Sequence, residues 1–281
     1  VYEQFERLLI DKLHFSVDKH KDANETGGLL HALQLTSEFE NFKKSEHQNG
    51  CLFYIPAWNT SKIDPATGFA NLFDTRYTNT VEAQKFFSKF DEIRYNEEKD
   101  WFEFEFDYDK FTQKAHGTRT KWTLCTYGMR LRSFKNPAKQ YNWDSEVVAL
   151  TDEFKRILGK AGIDVHENLK DAICNLEGKK DLEPLMQFMK LLLQLRNSKA
   201  GTDEDYILSP VADENGIFYD SRSCGDELPE NADANGAYNI ARKGLMMIEQ
   251  IKEAKDLDNL KFDISNKSWL NFAQQKPYKN E

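Results

Sequence analysis

The residues with the most chemical content lie near the C-terminal end, in Glu230-Asn231-Ala232-Asp233-Ala234-Asn235-Gly236-Ala237-Tyr238-Asn239-Ile240-Ala241-Arg242-Lys243-Gly244. Two readings of this stretch compete. In one, Asp233 or Asn235 caps a helix by accepting orphan backbone N–H bonds. In the other, Asp233 sits on the first turn of a helix whose small-residue face packs closely on a sheet edge, and a carboxylate held that rigidly suits a hard divalent cation. On residue type alone the cap is the commoner outcome, although a cap does not call for the Ala-Asn-Gly-Ala-Tyr that follows Asp233, and both readings stay open at this point.

A second stretch carries charge. Lys110, Lys114, Arg119, Lys121, Arg130, Arg132, Lys135 and Lys139 fall between Lys110 and Tyr141 with no acidic residue among them, interleaved with Phe111, Trp122, Tyr127, Phe134 and Tyr141. Rings on which bases stack and cations that track phosphates are what single-stranded nucleic acid requires; the alternative is a solvated hairpin whose aromatics are core. The strip also corrects the impression left by the average. The 281 residues hold 38 Lys plus Arg against 47 Asp plus Glu, a net charge of −9, so the +8 of the strip leaves −17 on the remainder. His14, His20, His31, His47, His116 and His166 are scattered without ligand spacing. Cys51, Cys125, Cys174 and Cys224 form no C-x-x-C pair, which argues against a zinc knuckle and for reduced, structural thiols.

With 40% hydrophobic and 13% aromatic residues, the chain has enough apolar surface for one large core or two modest ones, which excludes disorder throughout. Mean hydropathy is −0.72, and no apolar run approaches a membrane span; Leu191 to Leu195 is the longest candidate. The reading is therefore a soluble protein. No secretory signal is visible in Val1-Tyr2-Glu3-Gln4-Phe5-Glu6-Arg7, and the missing Met at position 1 points to a piece of a longer polypeptide.

These residues must be positioned by elements, and periodicity supplies candidates. Phe5, Leu8, Leu9 and Leu13 predict a helix, Asn49-Gly50 a turn, and Cys51 to Ile55 a buried strand halted by Pro56. The turn-formers from Ala57 to Gly68 mark a boundary. Asn79 caps a helix bearing Ala83, Phe86, Phe87 and Phe90. Trp101 to Tyr108 is the clearest strand, with aromatics alternating with Glu103, Glu105 and Asp107, one face core and the other solvent. Thr120 to Leu131 alternates more weakly, with Thr123, Cys125, Tyr127, Met129 and Leu131 on one side. After Trp143 the pattern turns helical. Thr151 is placed as a cap for Phe154, Ile157 and Leu158, ended by Gly162. Asp181 is placed as the cap of a helix burying Leu185, Phe188, Met189 and Leu192 and delivering Arg196 at its C-terminal end. The last helix opens at Asp233, with Ala237, Ile240, Ala241, Gly244 and Ile248 inward.

Taken together the motifs resemble the C-terminal part of the type V-A CRISPR effector nucleases. The string Asp233-Ala234-Asn235-Gly236-Ala237-Tyr238 is similar to the third RuvC segment of that family. Phe5 to Leu13, Leu52 to Ala57 with Thr60 to Pro65, Arg196-Asn197-Ser198 with Glu204 to Ile207, and Ile264 to Trp269 follow in family order along essentially the whole chain. The resemblance implies an α/β (α+β) fold: a partial RNase H-like RuvC domain in residues 1–56 and 231–281, split by an inserted α+β Nuc domain in 57–230. It implies that Asp233 is a catalytic metal ligand and that Arg196 supports cleavage by holding a phosphate, with Ser198 and Asp205 as polar neighbours. The alternative for Arg196 is a helix-terminal cation favoured by the dipole.

The resemblance further implies a two-Mg²⁺ site whose first Asp and Glu lie outside this chain, so the chain alone should not cut DNA. The implied partners are a crRNA guide, target DNA, the displaced single strand and the upstream part of the same polypeptide, with no membrane. The implied setting is the prokaryotic cytoplasm, in antiviral defence. In the full-length protein the guide reads sequence by base pairing, and the protein reads shape and backbone beside a T-rich PAM. Two other readings remain open: a non-catalytic nucleic-acid-binding or docking module, and a transposon-encoded RuvC nuclease, for which the expected C-x-x-C element is absent.

Overall fold

A computed structural model describes residues 4–5, 7–9, 14–34, 55–112, 119–139, 142–199, 201–254 and 264–275. The chain divides into two compact units, one of residues 1–57 with 240–265 and one of 58–239 with 266–281.

In the first unit, β1 (Phe15–Ser16) pairs antiparallel with β2 (Leu33–Gln34). Residues 4, 5 and 7–9 are helical, as the apolar spacing predicts, but Phe5 and Leu8 are exposed. Of the strand expected over Cys51 to Ile55, all but Ile55 lies outside the described residues. The carbonyl of Pro56 accepts from the buried Lys243 Nζ at 3.0 Å, and burial pushes that ammonium down to about 8.

The second unit is built on rings. Asn79 caps α1 (Thr80–Ser88) by accepting from the Glu82 N–H at 2.9 Å, and the helix buries Ala83, Phe86 and Phe87. β3 (Phe90–Asn96), β4 (Trp101–Asp107) and β5 (Lys121–Cys125) form an antiparallel sheet in that order. The period of two in β4 sends Phe102, Phe104 and Phe106 inward, where Phe104 faces Leu124 and Phe106 faces Trp122. Trp122 and Leu124 are therefore the inner residues of β5, which corrects the expectation that Thr123, Tyr127 and Met129 share a buried face. Gly128 at φ +74° breaks the chain between β5 and the next strand, and the alternation does not carry across it. Glu103 is the exception on the polar side: it is buried, taking hydrogen bonds from Arg94 Nε, Asn96 Nδ2 and Trp101 Nε1 at 2.9 to 3.0 Å.

Strands β6 (Met129–Asn136) and β7 (Asn142–Ala149) pair antiparallel along their full length, so the segment after Trp143 is strand where helical spacing was expected. Then come α2 (Leu150–Lys160), α3 (Leu169–Cys174) and α4 (Lys179–Leu192). Thr151 does not cap α2; its hydroxyl donates to the Thr126 carbonyl at 3.0 Å. Gly178, not Asp181, occupies the cap of α4, with Asp181 in the first turn. Phe154 of α2 stacks on Phe188 of α4 with centroids 4.6 Å apart. Together with the β3–β5 sheet these helices enclose one aromatic core, in which each fully buried Phe is worth about 1.5 to 3 kcal/mol.

A second antiparallel sheet runs β10 (Phe218–Asp220), β9 (Asp205–Ala212), β8 (Arg196–Ser198). Helix α5 (Ala232–Glu253) contributes its first turns to this unit, and α6 (Asn266–Ala273) buries Trp269 and Leu270. The fold is α+β, with several small antiparallel sheets. Cys125, Cys174 and Cys224 are free thiols, and no described helix is long and apolar enough to cross a membrane.

Candidate nuclease site

Three of the sequence-predicted residues meet. Arg196 is the first residue of β8 rather than a helix terminus, because the chain leaves α4 at Leu193 and at once pairs with β9. In that register Ser198 stands opposite Asp205, and the two-residue alternation puts Arg196, Ser198 and Asp205 on one face. Arg196 reaches diagonally across the pair: its Nε donates to Asp205 Oδ1 at 3.0 Å and its Nη2 to Asp205 Oδ2 at 3.3 Å. Its Nη1 donates to Asp233 Oδ1 at 3.0 Å. The dipole-only reading of Arg196 is thereby removed, since no helix ends there.

The opposite face of β8 holds the strand in place. Asn197 is fully buried; its Oδ1 accepts from the Leu131 N–H at 2.9 Å and from Gln194 Nε2 at 3.2 Å, tying β8 to β6.

Asp233 lies in the first turn of α5, and it is not the cap. Asn231 is, its Oδ1 accepting from the Ala234 N–H at 2.8 Å. The carboxylate of Asp233 is therefore left for Arg196 and solvent, with 82% of its side chain accessible against 22% for Asp205. The inner face of α5 differs from the expected one. Ala237, Ala241 and Ile248 are exposed, whereas Ala232, Asn235 and Asn239 are buried. Backbone carbonyls explain the inversion. Asn235 Nδ2 donates to the Ile63 carbonyl at 3.0 Å and Asn239 Nδ2 to the Thr60 carbonyl at 3.1 Å, while Asn239 Nδ2 also reaches Asn235 Oδ1 at 2.9 Å. Ile63 forms an isolated antiparallel bridge with Ala70 that uses the Lys62 carbonyl and the Asp64 N–H, and the two amides supply donors to the Thr60 and Ile63 carbonyls.

One residue of consequence was read as part of a turn and of the Thr60 to Pro65 block, with no role of its own. Asp64 follows Ile63 and is completely buried, accepting from Thr67 Oγ1 at 2.6 Å, Ser209 Oγ at 2.7 Å and the Ala66 N–H at 3.0 Å. Burial pushes its carboxyl above the ordinary range, opposed by those donors. Loop 60–70 is thus pinned to α5 through Asn235 and to β9 through Ser209, which connects the elements carrying Asp233 and Asp205. The Asp-Pro-x-Thr turn was legible in sequence; its burial was not.

The basic strip does not act as one surface. Arg130 is fully buried, with Nε donating to the Gln194 carbonyl at 3.1 Å and Nη1 to the Tyr127 carbonyl at 3.2 Å, and desolvation pushes its guanidinium down to about 10. It is a structural residue, not a phosphate contact. Trp122 is buried, donates through Nε1 to the Arg119 carbonyl at 3.0 Å and carries the Arg119 guanidinium on its face at 3.9 Å, so no base can stack there. Lys110 is paired with Asp91, and Arg132 bridges Glu146 and Glu153. Lys121 and Lys135 are exposed. Lys114 lies outside the described residues.

The donor set does not make a dication site from the described residues alone. No group of three or more His, Cys, Asp or Glu side chains with metal-holding geometry occurs among them, and both carboxylates at Arg196 already bind the guanidinium.

The class follows from comparison: residues 63–223 match the family model described as a nuclease domain, NUC. The chain belongs to that nuclease-domain family, the domain found in type V-A CRISPR effector nucleases. Arg196 and Asp205 lie within the matched residues, and Asp233 beyond them.

Proposed function

We propose that the chain is the C-terminal nuclease portion of a crRNA-guided DNA endonuclease that hydrolyses both strands of its target, with residues 1–56 and 231–281 as parts of a RuvC domain flanking the Nuc domain. The observation that carries this reading is the convergence of Arg196, Asp205 and Asp233 from β8, β9 and α5. A guanidinium has five N–H donors, and three are engaged here, so two remain for a phosphate oxygen. Asp205 fixes the fork, and Arg196 then holds the phosphate rather than searching for it. The cluster of one Arg and two Asp carries −1, which by itself repels a phosphodiester. Mg²⁺ bound at Asp233 would reverse that sign, but it needs further oxygen donors than the described residues supply. The same shortage favours the second reading, a non-catalytic binding or docking module, for the chain in isolation.

The test is made in full-length protein with guide and target. Asp233→Ala is expected to abolish cleavage while guided DNA binding stays intact. Arg196→Ala is expected to slow cleavage by about 10²- to 10³-fold, the usual loss for one positioned donor at a developing charge, with the two strands affected unequally. Unchanged cleavage in Asp233→Ala, or binding lost in parallel, contradicts the assignment.

A further inference from the structure

Arg130 is fully buried, and its guanidinium is satisfied only in part. Nε donates to the Gln194 carbonyl at 3.1 Å, and Nη1 to the Tyr127 and Met129 carbonyls at 3.2 and 3.3 Å. Nη2 is buried with them and has no hydrogen-bond partner. All three bonds go to carbonyls, whose dipoles do not cancel a full charge. The group cannot shed that charge either: burial brings Arg130 down only to about 10, so it stays cationic at neutral pH. A buried cation of this kind calls for a counter-charge, and its orphan N–H groups mark where one is missing.

The ionisable groups that act on Arg130 are Tyr206, Asp220 and Arg222. Asp220 is already committed. Its Oδ1 accepts from Arg222 Nε at 2.9 Å and its Oδ2 from Arg222 Nη2 at 2.7 Å, while the Arg222 guanidinium lies 4.0 Å from the centre of the Tyr206 ring. The cluster therefore sets two guanidinium groups against one carboxylate. Its surroundings are tight and apolar. Tyr206 packs with Leu208 and Leu131, and a Cβ added to Gly128 would sit 2.9 Å from Leu208 Cδ2 and 3.9 Å from Arg130 Nη1.

We propose that the Nη2 edge of Arg130 binds a small monovalent inorganic anion, chloride, which supplies the charge that Asp220 gives to Arg222. Phosphate or sulfate brings four oxygens to a place with two N–H groups to offer. A phosphodiester of a nucleic acid does not reach an atom with no solvent exposure. Water satisfies the N–H groups but leaves the charge. The inference goes beyond the nuclease reading and does not rest on it.

The experiment follows urea unfolding of the full chain by circular dichroism, at constant ionic strength, as sodium gluconate is exchanged for sodium chloride. Once chloride exceeds its Kd, the folded-to-unfolded ratio is expected to rise about tenfold for each tenfold of chloride. Arg130→Met, which keeps the length and removes the charge, should abolish that dependence. Arg222→Gln releases Asp220 to neutralise Arg130 and should weaken it; Arg222 is half-exposed, so this variant tests the site even where Arg130→Met folds poorly. Crystals of the full chain grown in bromide should show an anomalous peak at hydrogen-bonding distance from Arg130 Nη2. No chloride dependence in the wild type, or the same dependence in both variants, overturns the proposal, as does density at Nη2 without anomalous signal, which is an ordered water. Cleavage is not a readout here, so this result and the Asp233 test stand or fall separately.

Discussion

Asn235→Ala isolates the link between the Asp-Ala-Asn-Gly-Ala-Tyr motif and the fold. Asn235 is 1% exposed; its Nδ2 satisfies the Ile63 carbonyl at 3.0 Å, and its Oδ1 takes Asn239 Nδ2 at 2.9 Å. Alanine removes both bonds. Asn239 keeps its bonds to the Thr60 and Asn235 carbonyls, each at 3.1 Å, so it is not orphaned. The Ile63 carbonyl is left with the long 3.5 Å contact to Asn239, and Ile63 is fully buried. An unsatisfied buried acceptor costs about 1 to 3 kcal/mol, and about 2 is expected here. Urea unfolding followed by circular dichroism reads this as a lower midpoint at unchanged slope. Asn235→Asp should cost more than alanine, since it sets a carboxylate oxygen against the Ile63 carbonyl. In the double variant with Asn239→Ala the losses should fail to add by about 0.5 kcal/mol or more, because the two amides share partners. A change below about 0.5 kcal/mol in Asn235→Ala, or additive losses, refutes the claim that these carbonyls require the amides.

Other consequences are of the same kind. Asp64 has a folded pKa raised by burial, so it binds more protons folded than unfolded; the stability it contributes is complete below the unfolded pKa and is lost as pH rises through the folded one. Asp64→Asn keeps the shape and cannot titrate, so the wild type should lose stability relative to the variant as pH rises from about 4 toward neutrality, and a pH-independent difference would contradict this. Gly68 has φ +73°, and a Cβ there would sit 2.6 Å from the Ala273 carbonyl oxygen. Gly68→Ala should therefore destabilise by more than the roughly 1 kcal/mol of the backbone conformation alone, measurable as a drop in thermal midpoint.

How far the sequence discloses this molecule depends on how local each determinant is. The alternation of Phe102, Phe104 and Phe106 is a property of one strand, and the sheet confirms it. The cap at Asn79 needs three residues, and it is where the spacing puts it. Arg196 is different. The apolar run from Leu191 to Leu195 continues helical spacing, and only pairing with Ile207 in β9 makes the chain a strand at Arg196. Arg130 shows the same limit from the other side. A cation between aromatics in a basic strip looks solvent-facing until the carbonyls of Gln194 and Tyr127 are placed around it.

The residues that broke the hydrophobic pattern are those that place the site. Reading α5 by apolarity turns Ala237 and Ala241 inward; the folded chain instead buries Asn235 and Asn239, because an alanine face offers nothing to the Thr60 and Ile63 carbonyls. Asn197 is likewise buried where an apolar residue would pack, and it holds the Leu131 N–H directly behind Arg196. Asp64 holds Ser209 on β9, whose first residue is Asp205. Apolar contact is non-directional, whereas a hydrogen bond weakens steeply away from its preferred geometry. The 3.0 Å bonds from Arg196 to Asp205 and Asp233 join side chains on three elements, and each of those elements is held by a directional bond from a buried polar side chain as well as by apolar packing. If the site grips a phosphate as proposed, it needs that precision, and polar residues then occupy positions a stability argument alone would fill with leucine.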